Sequence, residues 1–173
     1  MQIQIAPLAA IYELNTDLLL NCLADLTDAE ARQRLSGVGN SVAFLAAHLT
    51  DTRHFLVTRL GHPLPNPLAR YLAEAQGIED IREWMTLEEI RGAWLSVSAH
   101  LHDVLDKLAA ADLGKPGAHR FPIGDSTPLG MLTFLAQHDS YHVGQIGFIR
   151  RQLGKPAMSY ERRARQPAAS GTP

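Results

Sequence analysis

The chain has 173 residues, 46% of them hydrophobic and 20% charged, with a formal net charge of -2 at pH 7 and a pI near 6.4. That length suits a single domain and is enough to bury a core without disulfides. A charge balance so close to neutral gives no reason to expect a nucleic-acid or anionic-membrane partner.

One cysteine, Cys22, excludes an intrachain disulfide and fits a reducing compartment. The first residues lack the basic and apolar regions of a signal peptide. No window approaches the roughly 18 uninterrupted apolar residues of a membrane helix. A cytoplasmic protein with no membrane contact is the expectation.

Pro7 suits the first turn of a helix. Leu8, Ile11, Asn15, Leu18, Leu19, Cys22 and Leu26 then recur at three- and four-residue intervals, which predicts a first amphipathic helix. Thr27-Asp28-Ala29-Glu30 is a capping box that opens a short extra helix, closed by Ser36-Gly37-Val38-Gly39. Asn40 or Ser41 caps a second long helix that runs to Leu60-Gly61-His62-Pro63. Residues 61–85, with Pro63, Pro65 and Pro67 near their start, read as a long connection with one short helical piece around Leu68–Ala75.

Thr86-Leu87-Glu88-Glu89 is a second capping box. It opens a third long helix along Ile90, Trp94, Val97, Leu101, Val104 and Leu108, ending at Leu113-Gly114-Lys115-Pro116. Thr127-Pro128 starts the fourth, which ends at Leu153-Gly154-Lys155-Pro156. Three helices are thus predicted to stop on one Leu-Gly-x-Pro phrase, Gly supplying a left-handed residue and Pro forbidding continuation. The bundle domain is expected over 1–161. The charged and small residues over 162–173 predict a disordered tail. Four long helical patterns without strand alternation predict an all-α bundle, and the long connection between the second and third helices allows a crossover.

The chemistry-bearing stretch is Gln137-His138-Asp139-Ser140-Tyr141-His142-Val143-Gly144-Gln145-Ile146. Residues four apart differ by one turn plus about 40°, so His138 and His142 stand one above the other, and Gln145 joins them. Met131, Leu135 and Ile149 extend the stripe, which predicts two imidazoles and an amide within an otherwise apolar, core-facing row. Buried polar groups need partners, and a metal ion is the partner best suited to stacked imidazoles.

On the second helix, Leu45, His48, Thr52, Phe55 and Arg59 lie within about 40° of the direction of Ser41, which makes His48 the candidate third ligand. Three imidazoles leave a coordination position open, as in catalytic sites. Zinc, nickel and ferrous iron all accept them. The competing reading is that one i,i+4 pair among eight histidines is coincidental and each is a hydrogen-bonded core or boundary residue. His54, His62, His100, His102 and His119 are expected to be structural or solvated, with His54 facing outward. Cys22 reads as a core residue, and Trp84, Trp94, Phe44 and Phe55 as core or pocket wall.

Gln145 and Asp51 are candidates to orient an imidazole or a bound molecule from behind the ligands; for Asp51 a solvated helix-face carboxylate is an equal alternative. Asp51-x-x-His54 and Asp139-x-x-His142 also mimic the carboxylate-x-x-His spacing of di-metal bundles. Glu13 and Glu89, which such a site would need, fall off the apolar stripes of their helices.

His138-x-x-x-His142-x-Gly144-Gln145-Ile146, with Ser41-x6-His48 on the second helix, resembles the DinB/YfiT-like family. The segment Asn40–Asp51 is similar to that family's second helix. The resemblance spans residues 5–155 and implies a four-helix bundle of up-down-down-up order holding one divalent metal, zinc first, on His48, His138 and His142. It also implies a homodimer. For some members it implies a metal-dependent transfer or isomerisation using a low-molecular-weight thiol, and the corresponding expectation here is a thiol transferase or a hydrolase acting on a small molecule. The alternative is a non-catalytic, stress-related binding module. Many members carry a basic residue where this chain has Val143, a departure that weakens any expectation of an anionic substrate.

Overall fold

The computed structural model describes residues 5–75 and 77–162. Among these residues the chain is all-helical, with seven α-helices and no strand. They are α1 (Ala6–Leu23), α2 (Asp28–Arg32), α3 (Val42–Arg59), α4 (Ala69–Leu72), α5 (Leu87–Lys107), α6 (Ala110–Leu113) and α7 (Pro128–Gln152).

Side-chain caps set most of the starts. Thr27 and Glu30 close a reciprocal box on α2, and Thr86 and Glu89 do the same on α5. Ser41 accepts from the Phe44 amide at the start of α3, and Thr127 accepts from the Gly130 amide ahead of Pro128 on α7. Each satisfies amides that the first helical turn leaves without partners.

Two helix ends depart from expectation. The first helix stops at Leu23, where Ala24 is extended and Asp25 enters the left-handed region at φ 58°; Leu26 is buried from the following loop. The third long helix stops at Lys107, not at the Leu113-Gly114-Lys115-Pro116 phrase. Leu108 turns extended there and packs against the core, and the one-turn α6 then buries Leu113 as well. Gly114 consequently sits at φ -95°, while Gly61 and Gly154, after α3 and α7, take the left-handed φ of 85° and 78°.

Each long helix packs on two others: α1 and α3 both lie against α5 and α7. Their apolar faces form two clusters. One gathers Leu19, Leu23, Leu45, Leu49, Ile90, Trp94 and Ile146; the other gathers Ile5, Leu56, Val97, Leu101, Leu132 and Leu135. Between them runs a belt of buried polar residues.

Arg53, from α3, is the centre of that belt. Its guanidinium bonds Asp139 of α7, the hydroxyls of Thr16 of α1 and Ser98 of α5, and the Tyr12 carbonyl. It also stacks on the Trp94 ring at 3.6 Å. Asn15 donates to Ser140 Oγ at 2.9 Å at the same level. One side chain thus contacts all four long helices, and a charge buried this deeply persists only when paired and fully hydrogen-bonded.

Of the predicted tail, Arg162 is placed: its Nε lies 2.8 Å from Asp17 and its Nη2 3.2 Å from Glu13. Residues 163–173 lie outside the described residues.

Candidate metal centre

The three candidate histidines come together at the level of the polar belt. His48 projects from the first half of α3, and His138 and His142 from successive turns of α7. The stripe that carries them is buried at both ends, through Met131, Leu135 and Ile149, and half-buried where the histidines stand. On α7 a second buried row, Leu132, Ala136, Asp139, Val143, Ile146 and Arg150, lies about 80–120° round the helix from the two histidines. On α3 the buried row runs through Leu45, Leu49, Arg53 and Leu56, with His48 about 100° to one side of Leu49. All three imidazoles and Gln145 are therefore half-buried, at the lip of the core and not at its centre.

The ring edges converge. Nε2 of His138 lies 3.1 Å from Nε2 of His48 and 3.1 Å from Nε2 of His142, and one nitrogen from each residue falls within 4.8 Å of the others. A tetrahedral ion with nitrogen ligands at about 2.0–2.1 Å separates those nitrogens by about 3.3–3.4 Å, so the three are spaced to share one.

Proton bookkeeping supports the same conclusion. Nδ1–H of His142 donates to Gln145 Oε1 at 2.6 Å, which leaves Nε2 of a neutral His142 as a bare lone pair. A neutral His138 has a single proton for two ring nitrogens, and its buried Nδ1 has no partner among the described residues. Hydrogen bonds alone cannot serve both neighbours, whereas a cation at the centre would take a lone pair from each ring.

The electrostatics keep two of the rings, His138 and His48, in the form a metal requires. Burial first, then the neighbouring His142 and His48, push the imidazole of His138 down to about 4. Burial and His142 also lower His48, against an opposing pull from Asp51. Neutral imidazole is the metal-binding species.

Behind the rings, the Gln145 amide that fixes His142 donates in turn to Tyr141 Oη at 3.3 Å. Phe44 stacks parallel to His48 at 6.4 Å between centroids. Asp51 makes no hydrogen bond to any of the three imidazoles among the described residues; its Oδ1 accepts from Asn66 at 2.8 Å.

Beside His138 opens a cavity of about 440 Å³. Its apolar walls are Phe55 of α3, Leu135 and Phe134 of α7, and Phe121 and Pro122 from the loop before α7. Thr52, Asp51 and His119 supply the polar edge.

Several residues are not where sequence reasoning put them. His54, expected to face outward, is only 4% exposed and pairs through Nδ1 with the Leu64 carbonyl at 3.0 Å. The long connection folds back over α3 and covers it. Asp139 turns into the core on Arg53 and His54 turns to Leu64, so neither carboxylate-x-x-His unit brings both of its residues to the imidazole cluster. His100 reaches the His62 carbonyl, and His102 lies between Glu13 and Asp106. Cys22 is buried, as read. His119, Phe121 and Phe134 were missed. Phe134 was detectable, one turn before His138 on the same stripe; the two loop residues carry no local signal.

An all-helical fold that gathers three imidazoles from two helices at one lip of its core defines a class of helical proteins with a candidate metal pocket. Residues 11–146 match the model of the DinB superfamily, and the chain belongs to that superfamily. A crystal structure of a conserved protein of locus from Enterococcus faecalis superposes with a TM-score of 0.72 at 18% identity, covering 90% of this chain and 99% of that one, a likeness that shows the fold. No curated protein matches the chain by sequence.

Proposed function

We propose that this chain binds one divalent metal ion, zinc in the first instance, through His48, His138 and His142, and uses it to transfer a low-molecular-weight thiol to, or to hydrolyse, a small molecule. The observation that carries the reading is the convergence of three Nε2 atoms, two of the separations being 3.1 Å. When bound, the ion supplies a Lewis acid whose open position lowers the pKa of a thiol or water. The protein's own part is to hold three imidazoles together, to fix the His142 tautomer through Gln145, and to offer an apolar cavity next to His138.

The fold in this reading is a four-helix bundle of up-down-down-up order. Paired residues support it. Tyr12 reaches Leu132 and Cys22 lies on Val143, which runs α1 and α7 in the same direction. Glu13 meets His102 and the Leu23 carbonyl meets Arg91, which sets α5 against α1. His48 meets His142 while Phe55 and Phe134 share a cavity, which sets α3 against α7. A homodimer in the cytoplasm, without nucleic-acid or membrane partners, completes the proposal. The exposed Tyr141 and Phe148 on α7 and the reduced, buried Cys22 are consistent with it.

A second reading, a binding module without turnover, is favoured by one observation. Among the described residues no carboxylate hydrogen-bonds the imidazoles, and Asp51 is engaged by Asn66. Metal analysis of the purified chain tests the shared premise: one ion per chain is expected, and an unchanged content in His138→Ala would reject the site. Turnover of electrophiles with a panel of small thiols then separates enzyme from module.

A further inference from the structure

The cavity beside His138 has a composition that selects its occupant. A line of aromatic rings leads from the loop to the candidate ligand. His119 and Phe121 are 4.9 Å apart edge to face, Phe121 and Phe134 are 5.9 Å apart, and Phe134 and His138 are 6.3 Å apart. Opposite them Phe55 is 46% exposed, a large apolar face with little protein covering it. Rings at these spacings prefer to meet a further ring by an edge or an offset face.

The loop that brings Phe121 in is held by its own backbone. Gly117 donates to the Ser126 carbonyl, Phe121 to Asp125 and Gly124 to Phe121, each at 2.8 Å. The wall is therefore preformed. At about 440 Å³ the space falls within the range of small-molecule sites, about 300–1,000 Å³.

Charge sets the other half of the specificity. Among the described residues the lining contains one carboxylate, Asp51, and no Lys or Arg. In the metal-free chain an anion entering would lose hydration next to an acid and gain no cationic partner.

We propose that this cavity binds an uncharged aromatic ring, and that this ring is the apolar part of the molecule on which the site acts. The second clause rests on the metal reading above; the binding itself does not. Ring binding would place the remainder of the molecule at His138, the one ligand that also lines the cavity.

The probe is indole, with indole-3-acetate as its anionic counterpart, titrated into the full chain and followed by NMR. Indole is expected to shift the side-chain resonances of Phe121, Phe134 and Leu135, and in the chelator-treated chain indole-3-acetate is expected to bind at least about tenfold more weakly, a difference of about 1.4 kcal/mol. Phe134→Ala is expected to weaken indole about fivefold. Phe55→Ser, at an exposed position, should do so without changing the thermal midpoint. Metal content is measured on the same samples. Indole binding that the variants lose while the ion is retained supports the cavity, and so does indole binding there in a chain that holds no ion, even though the metal reading would then fail. Equal binding of the two probes to the chelator-treated chain, or indole shifts confined to another surface, would overturn the proposal.

Discussion

Arg53 and Asp139 form an ion pair, 2.9 Å between Nη2 and Oδ2, with both side chains 1% exposed, between the two helices that supply the histidines. Asp139 follows His138 directly and Arg53 lies five residues beyond His48, so the pair sets the rotation of α3 against α7 at the level where the imidazoles meet. Removing one partner leaves a buried charge without a counterion. Arg53→Ala and Asp139→Ala are each expected to cost about 3–5 kcal/mol, read as a shift in urea unfolding. Arg53→Met combined with Asp139→Leu should cost less than either single change, and a larger cost for the double variant would contradict this account.

Gln145 is expected to act on affinity and not on stoichiometry. Its Oε1 receives the Nδ1 proton of His142 at 2.6 Å and so presents Nε2 to the ion. Gln145→Ala should weaken metal binding by about 10–100-fold while still saturating at one ion. Gln145→Glu, which keeps an acceptor, should retain most of the affinity. Competition with a chelating dye measures both.

Two glycines provide opposite outcomes for the same substitution. A Cβ on Gly130 would lie 2.4 Å from Cγ and 2.5 Å from Cβ of Asp125, whose carboxylate accepts from the Thr127 amide at the start of α7. Gly130→Ala should destabilise by about 1–3 kcal/mol through overpacking. Gly92, exposed within α5, has open space at that position. Gly92→Ala should stabilise by about 0.5–1 kcal/mol, because alanine loses less backbone freedom in a helix. Thermal unfolding of the two variants decides.

Acid should weaken the fold through its capping boxes. Hydrogen bonding to Lys155, then to the Thr27 amide, holds the carboxyl of Glu30 down at about 2. The Thr86 amide, then Tyr71, does the same for Glu89. An unfolded glutamate titrates near about 4.3. Below that value the unfolded chain therefore binds more protons, and stability is complete above pH 4.5 and declines toward pH 2. Urea midpoints between pH 5 and pH 2.5 should fall for the parent chain and fall less for Glu30→Gln combined with Glu89→Gln.

The caps at Thr27, Ser41, Thr86 and Thr127 were legible because capping is a local exchange of hydrogen bonds between residues three apart. The imidazole cluster was legible because i,i+4 spacing fixes a shared face whatever the tertiary structure. How much else of the helix is buried was not. Met131, Leu135 and Ile149, in line with the histidines, are core as the pattern predicts, yet the histidines between them are half-buried and a second row through Leu132, Asp139 and Val143 is turned inward as well. Asp139 and Arg150 disguise that row by placing charges in it. Those charges are tolerated inside only because Arg53 and the carbonyls of Cys22, Ala24 and Pro156 meet them, contacts that, Pro156 apart, join residues far apart in the chain. His54 and the cavity wall at Phe121 depend likewise on where long connections fold back, which no local pattern encodes.

The position of the three histidines at the lip of the core has a consequence for how such a protein can change over time. The imidazoles contribute little to either apolar cluster, and the belt around Arg53 closes without them. Replacing one of the histidines therefore leaves most of the interior that folds the chain untouched, whereas Leu135 and Phe121 of the neighbouring wall belong to it. The three histidines and the core are physically separable here, so this scaffold can exchange the histidines without passing through an unfolded intermediate sequence.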